Sequence, residues 1–141
     1  MRLIQSLQSR RDREEGFTLI ELMVVVLIIA ILIAIAIPTF LGARERAQDS
    51  AAKSDLRNAL AAAKVHYTDT EDYSTFDDAA LLEIEPSLAD VVNDGDLRIV
   101  PGGTNSVCMA RDSKSGKTFF VEEVAVGPTA GTTGPKEGNC Q

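Results

Sequence analysis

The chain has 141 residues, of which 45% are hydrophobic and 25% charged, with 14 Lys and Arg set against 21 Asp and Glu. Together with a mean hydropathy of +0.02, these values exclude a collagen-like, fully disordered or disulfide-dense chain and a multi-span transporter, and they allow one small domain with or without an appendage. The formal net charge of -7 argues against a sequence-independent nucleic-acid surface, which needs Lys and Arg to neutralise phosphates.

The apolar residues are unevenly spread. After Glu21 the chain runs 22 residues without a charge, to Ala43. A helix of that length reaches ~33 Å, the thickness of a bilayer's hydrocarbon core, so a single membrane span is expected. Arg2, Arg10, Arg11 and Arg13 precede the run, which favours a cytoplasmic N-terminus and an exported remainder, although Arg44 and Arg46 follow it closely. A secretory signal peptide cleaved at Ala34-Ile35-Ala36 is the plainer alternative. Against it stand an apolar stretch longer than the usual ~7 to 15 residues, three acids among the leading Arg residues and the absence of a polar segment before the site.

The border at Gly16 carries the sharper signal. A charged leader ending in EEG, then FTLIELMVVVLIIAILIAIAIPTF, resembles the class III signal and N-terminal helix of type IV pilins and pseudopilins. The similarity is close from Gly16 to about Phe40 and looser through the Ala-rich stretch beyond. It implies a hydrophilic leader over 1–16, cut after Gly16 by a prepilin peptidase that then methylates the new amine of Phe17, and a filament-core helix over 17–43. Losing the leader removes four Arg and three acids, leaving ten basic and eighteen acidic residues.

Glu21 lies inside the apolar run, where a charge such as Asp at a membrane-helix centre costs roughly 2.5 to 3.5 kcal/mol. The positive end of the helix dipole returns about 0.3 to 1 kcal/mol, so a partner is needed. The amine of Phe17, with an ordinary pKa of ~7.7 to 8.0, is the candidate, from the same chain or a neighbour's. The resemblance selects the neighbour: Glu21 of an incoming subunit pairs with Phe17 of one already in the filament, setting register as much as energy. A water-exposed Glu at the membrane interface is the alternative. Further on, Pro38 removes a backbone donor and Gly42 weakens the same turn, so a kink is expected there, either static or, as the resemblance suggests, extensible on assembly.

Over 44–67 an amphipathic continuation is expected. Leu56, Ala59, Leu60, Ala63 and Tyr67 recur on one face, with Asp49 and Lys53 as an i,i+4 pair on the polar side. His66, the chain's single histidine, sits near the helix end, where a cation is favoured. Residues 68–96 form an acidic connection in which Thr75 with Asp78 starts a short helix to about Glu83. Asn93-Asp94-Gly95-Asp96 lacks the ligand spacing of a calcium loop and reads as a turn.

The last segment, 97–141, carries strand signals at 97–100, 106–111 and 118–126, separated by Gly- and Ser-rich turns. A three-stranded antiparallel meander packed on the helix stripe is the economical arrangement, and 127–141 is too rich in Gly, Thr and Pro for a core of its own. The fold class is therefore α+β, a long N-terminal helix on a small β-meander head. In an exported region Cys108 and Cys140 permit one bridge. The resemblance points the same way, to a C-terminal disulfide loop; two free thiols are the alternative.

No catalytic dyad, metal cluster or phosphate loop is present in the pattern, and neither catalysis nor a cofactor is expected. The resemblance implies a structural subunit, stored in the inner membrane and polymerised on the cell surface for adhesion, motility or DNA uptake. Its expected partners are further copies, the prepilin peptidase, an assembly ATPase and an inner-membrane platform protein. Two other readings stand beside it: a type II secretion pseudopilin or minor pilin, and a single-span membrane-anchored binding module.

Overall fold

The computed structural model describes residues 16–141. The expected leader, apart from Gly16, lies outside them, as do Arg2, Arg10, Arg11 and Arg13. The chain divides into two units, Met1–Leu41 and Gly42–Gln141.

Helix α1 spans Leu19–Thr70. Within the first unit its side chains from Leu19 to Leu41 are all exposed and, apart from Glu21 and Thr39, apolar or small on every face. A helix apolar all round is the pattern of a membrane span or of a helix buried among others. Among the described residues α1 is the one helix long and apolar enough to cross a membrane. Pro38 lies inside it, and the backbone stays helical through Pro38 and Gly42. The missing proline N–H leaves the carbonyl of Ala34 without its usual donor, and Thr39 Oγ1 donates to the next carbonyl, Ile35, at 3.2 Å.

The second unit is built on the other half of α1. Ala52, Leu56, Ala59, Ala62 and Ala63 are buried, with Leu60 and Tyr67 partly so. Four of the five buried positions are alanine. The helix ends three residues beyond the expected Tyr67, at Thr70, and there Thr68 and Thr70 turn their hydroxyls back onto the carbonyls of Lys64 and His66. Glu71 then takes a left-handed φ of 57° and its N–H closes on Tyr67 O, an αL stop made without glycine.

Helix α2 covers Asp78–Ile84, and its cap is Asp77, whose carboxylate accepts from Ala80 N. The expected Thr75 start is corrected: the Thr75 hydroxyl is engaged with His66 and the carbonyl of Asp72. A 3-10 turn at Pro86–Leu88 and a short α3 at Ala89–Asn93 follow, neither of them anticipated. Asn93-Asp94-Gly95-Asp96 is the turn after α3, with Gly95 at φ 75°.

The sheet has four strands, β1 Leu97–Pro101, β2 Ser106–Asp112, β3 Thr118–Val124 and β4 Gly131–Glu137, in sequential antiparallel order. The expected meander of three strands therefore gains a fourth. β4 reads as GTTGPKE and is exposed along nearly its whole length, so hydrophobic alternation could not reveal it; it pairs with β3 through the backbone. Pro135 is tolerated because β4 is an edge strand. The register slips between Phe120 and Glu122. There Gly134 is indispensable, since it has φ +106° and a Cβ would lie 2.5 Å from Phe120 O. Val107, Met109, Phe119 and Val121 point from the sheet onto Leu56, Tyr73, Phe76, Leu81 and Leu88 to form the core.

Candidate assembly site

Gly16, Phe17 and Thr18 precede the helix. Among the described residues nothing lies within 4 Å of where a Cβ on Gly16 would stand, and Phe17 is 82% exposed. Thr18 and Glu21 form a reciprocal cap: Glu21 N–H donates to Thr18 Oγ1 at 3.3 Å, and Thr18 Oγ1 and N–H donate to Glu21 Oε2 at 3.1 and 3.4 Å. This is a capping box. Its signal, Thr-x-x-Glu at 18–21, stands in the sequence. The carboxylate is thus held in the first turn, near the positive end of the helix, with its partner in its own chain.

Among the described residues, a Cβ on Gly42 would meet the end of the Arg46 side chain at 3.8 Å, an ordinary contact.

Away from this segment, charged residues fasten the second unit. Arg111, 5% exposed, joins Asp55 of α1 at 3.2 Å and Asp96 at 3.1 Å and donates to the carbonyl of Asp112. Asp49 accepts from Ser113 Oγ at 2.8 Å and from Ser115 Oγ, with Lys117 at 3.6 Å. The Ser115 hydroxyl first, then Ser113 and Lys117, hold its pKa below the usual carboxylate value against the desolvation that raises it. Arg98 grips Asp112 at 2.7 and 3.1 Å, depressing the carboxylate and raising the guanidinium. Glu123, 8% exposed, meets Lys64 at 3.4 Å and accepts from Thr132, tying α1, β3 and β4 together. Charges at inward strand positions, Arg111 and Glu123, were the available signal for these contacts.

The expected Asp49–Lys53 pair does not form. Asp49 turns to the β2–β3 turn, and Lys53 Nζ lies 4.5 Å from the centre of the Phe119 ring, a cation–π contact. His66 bonds Thr75 Oγ1 at 3.0 Å and leans on Phe76 at 5.3 Å between ring centres. Among the described residues no group of three or more His, Cys, Asp and Glu is arranged to hold a metal ion. Cys108 and Cys140 are bridged, far along the chain from the N-terminal segment.

Residues 11–37 match the model of the prokaryotic N-terminal methylation motif. Over 106 residues the chain is 37% identical to the type IV wide pilus major component PilA4 of Thermus thermophilus, covering 75% of this chain and 79% of that protein. It is 48% identical over 64 residues to the type IV major pilin protein PilA of Myxococcus xanthus, covering 45% of this chain and 29% of the relative. Type II secretion system core protein G of Escherichia coli is 40% identical over 65 residues, covering 42% of this chain and 45% of the relative. No solved structure matches. With the motif at its N-terminus and a pilin matched over most of its length, the chain belongs to the type IV pilin and pseudopilin superfamily.

Proposed function

We propose that this structural pilin subunit is cut between Gly16 and Phe17, methylated on the Phe17 amine, and added to a growing filament through a pairing of that amine with Glu21 of its neighbour. One observation carries the reading: an exposed apolar helical segment, Leu19–Leu41, whose single carboxylate, Glu21, is held in the first turn by Thr18. Exposed apolar surface of this extent must be covered by lipid or by other copies. Lipid stores the subunit, and the bundle of identical helices replaces it. In the precursor the capping box satisfies one oxygen of Glu21. Cleavage creates a cation one turn away, and a helix inserted out of register leaves both charges unpaired in an apolar bundle. Pro38 and Gly42 supply the turn that lengthens as subunits enter.

The precursor sits in the inner membrane with its N-terminus in the cytoplasm, and the product is a surface pilus. Extraction from the membrane is work done by an assembly ATPase acting through a platform protein. Intact-mass and N-terminal analysis of the mature chain is the decisive measurement. A methylated Phe17 is expected, and it eliminates the membrane-anchored binding module, whereas retention of Met1 overturns the pilin maturation. Glu21→Ala should leave cleavage intact while filaments disappear; normal piliation would sink the role given to Glu21.

A pseudopilin of a type II secretion system is the second reading, favoured by the similarity to core protein G. Filaments abundant in the sheared surface fraction support the pilus; their absence from it, with processing intact, favours the pseudopilus.

A further inference from the structure

The second unit carries exposed charges of both signs that no ion pair among the described residues takes up, among them Arg46 and Arg57 of α1 and several carboxylates of residues 68–96. On α1, Arg46, Lys53, Arg57 and Lys64 follow one another at separations of seven, four and seven residues, close to two, one and two turns, so that all four lie along one side of the helix. Lys53 is committed to the Phe119 ring and Lys64 to Glu123. Arg46 and Arg57 are exposed and form no ion pair with any described residue. Opposed to them in sign, residues 68–96 hold ten acids and no Lys or Arg. Of these ten, Asp96 alone is ion-paired among the described residues; Asp78, Glu83 and Asp90 are exposed and make no such pair.

We infer that Arg46 and Arg57 of one copy receive the exposed carboxylates of the 77–94 stretch of a second copy. The inference rests on the polymerising reading above. Charge complementarity selects a second copy as the occupant. Each mature copy carries ten basic against eighteen acidic side chains, so copies repel unless uncommitted cations meet carboxylates at the contacts. Arginine suits the task because its planar guanidinium takes a carboxylate through two parallel hydrogen bonds.

The test uses the full chain in piliating cells, with sheared filaments quantified against membrane-stored, processed subunit. Arg46→Glu with Arg57→Glu is expected to lower filament yield about tenfold or more, since opposed charges become like charges across each contact. Processing at Gly16 and the Cys108–Cys140 bridge should be unchanged, which separates lost assembly from lost folding. Reversing Asp78, Glu83 and Asp90 to Lys should be equally damaging alone, and combining both sets should restore filaments to within about threefold of the parent. Unchanged filaments in the arginine variant, or no restoration in the combined one, overturn the inference while leaving the pilin reading standing. A parent chain that is processed but yields no filaments overturns both.

Discussion

Single residues set the limits of pH over which the second unit holds together. Tyr73, 1% exposed, has its pKa pushed from 10.0 to about 12, first by burial, then by the negative charge of Glu123 and by Tyr67. Folding therefore favours the neutral phenol. Its contribution is complete below the unfolded pKa of 10.0 and is lost as pH rises toward the folded value of about 12. The depressed carboxylates of Asp49 and Asp112 act oppositely. Their contribution is complete above the ordinary value of 3.8 and is lost as pH falls through their lower folded values. We expect Tyr73→Phe to remove most of the alkaline fall in stability between pH 10 and about 12 while leaving the acid fall unchanged. Denaturant midpoints measured across that range check it, and an alkaline limb identical to the parent's would show that another group governs it.

At the scale of elements, what the sequence revealed depended on whether a side-chain pattern or a backbone carried the element. Helix α1 and strands β1 to β3 announce themselves through Leu56, Ala59 and Ala63 at helical spacing and through Val107, Met109, Phe119 and Val121 at alternating positions. β4 has no such pattern, since pairing of its backbone with β3 is what defines it. The N-terminal methylation motif was legible in its residue types around Gly16, Phe17 and Glu21, and the Thr18–Glu21 cap is carried by the Thr-x-x-Glu spacing alone. The Asp49–Lys53 expectation failed because a weak helical pair, worth about 0.3 to 0.5 kcal/mol, competes with two serine hydroxyls and an aromatic ring supplied by the sheet. The end of α1 was unreadable for a related reason, because a glutamate occupies the position where glycine usually stops a helix. An L-residue in the left-handed conformation costs about 1 to 2 kcal/mol, and glycine returns roughly 0.5 to 1 kcal/mol of that to unfolded-chain entropy. Glu71→Gly should therefore raise unfolding free energy by about 0.5 to 1 kcal/mol. Denaturant unfolding of the detergent-solubilised chain measures it, and a loss of stability would mean that the Glu71 side chain makes a contribution larger than its backbone strain.

For the molecule as a whole, the near-neutral average hydropathy conceals two different solutions to being stable. Residues 17–43 contain 22 apolar side chains of 27, whereas 44–141 contain 37 of 98. The first set acquires its stability from what surrounds it, lipid or other copies. The second must fold on its own terms with a small core, and small cores need staples. Its last strand is the clearest case, since β4 buries almost nothing and is retained by Thr132 on Glu123, by Lys64 on Thr132 at 3.0 Å, and by the Cys108–Cys140 bridge across 32 residues of chain. Closing a loop of that size removes unfolded-chain entropy worth about 3 to 4 kcal/mol. Replacing Cys140 and Cys108 with Ser should lower stability by about that amount. It should first expose the backbone amides shared by β3 and β4 to hydrogen exchange, while those between β1 and β2 stay protected until the unit unfolds globally. Exchange measured on the serine variant and the parent in the same detergent tests both parts. Equal protection of β4 in the two proteins would assign the retention of that strand to Glu123, Thr132 and Lys64 instead of to the disulfide.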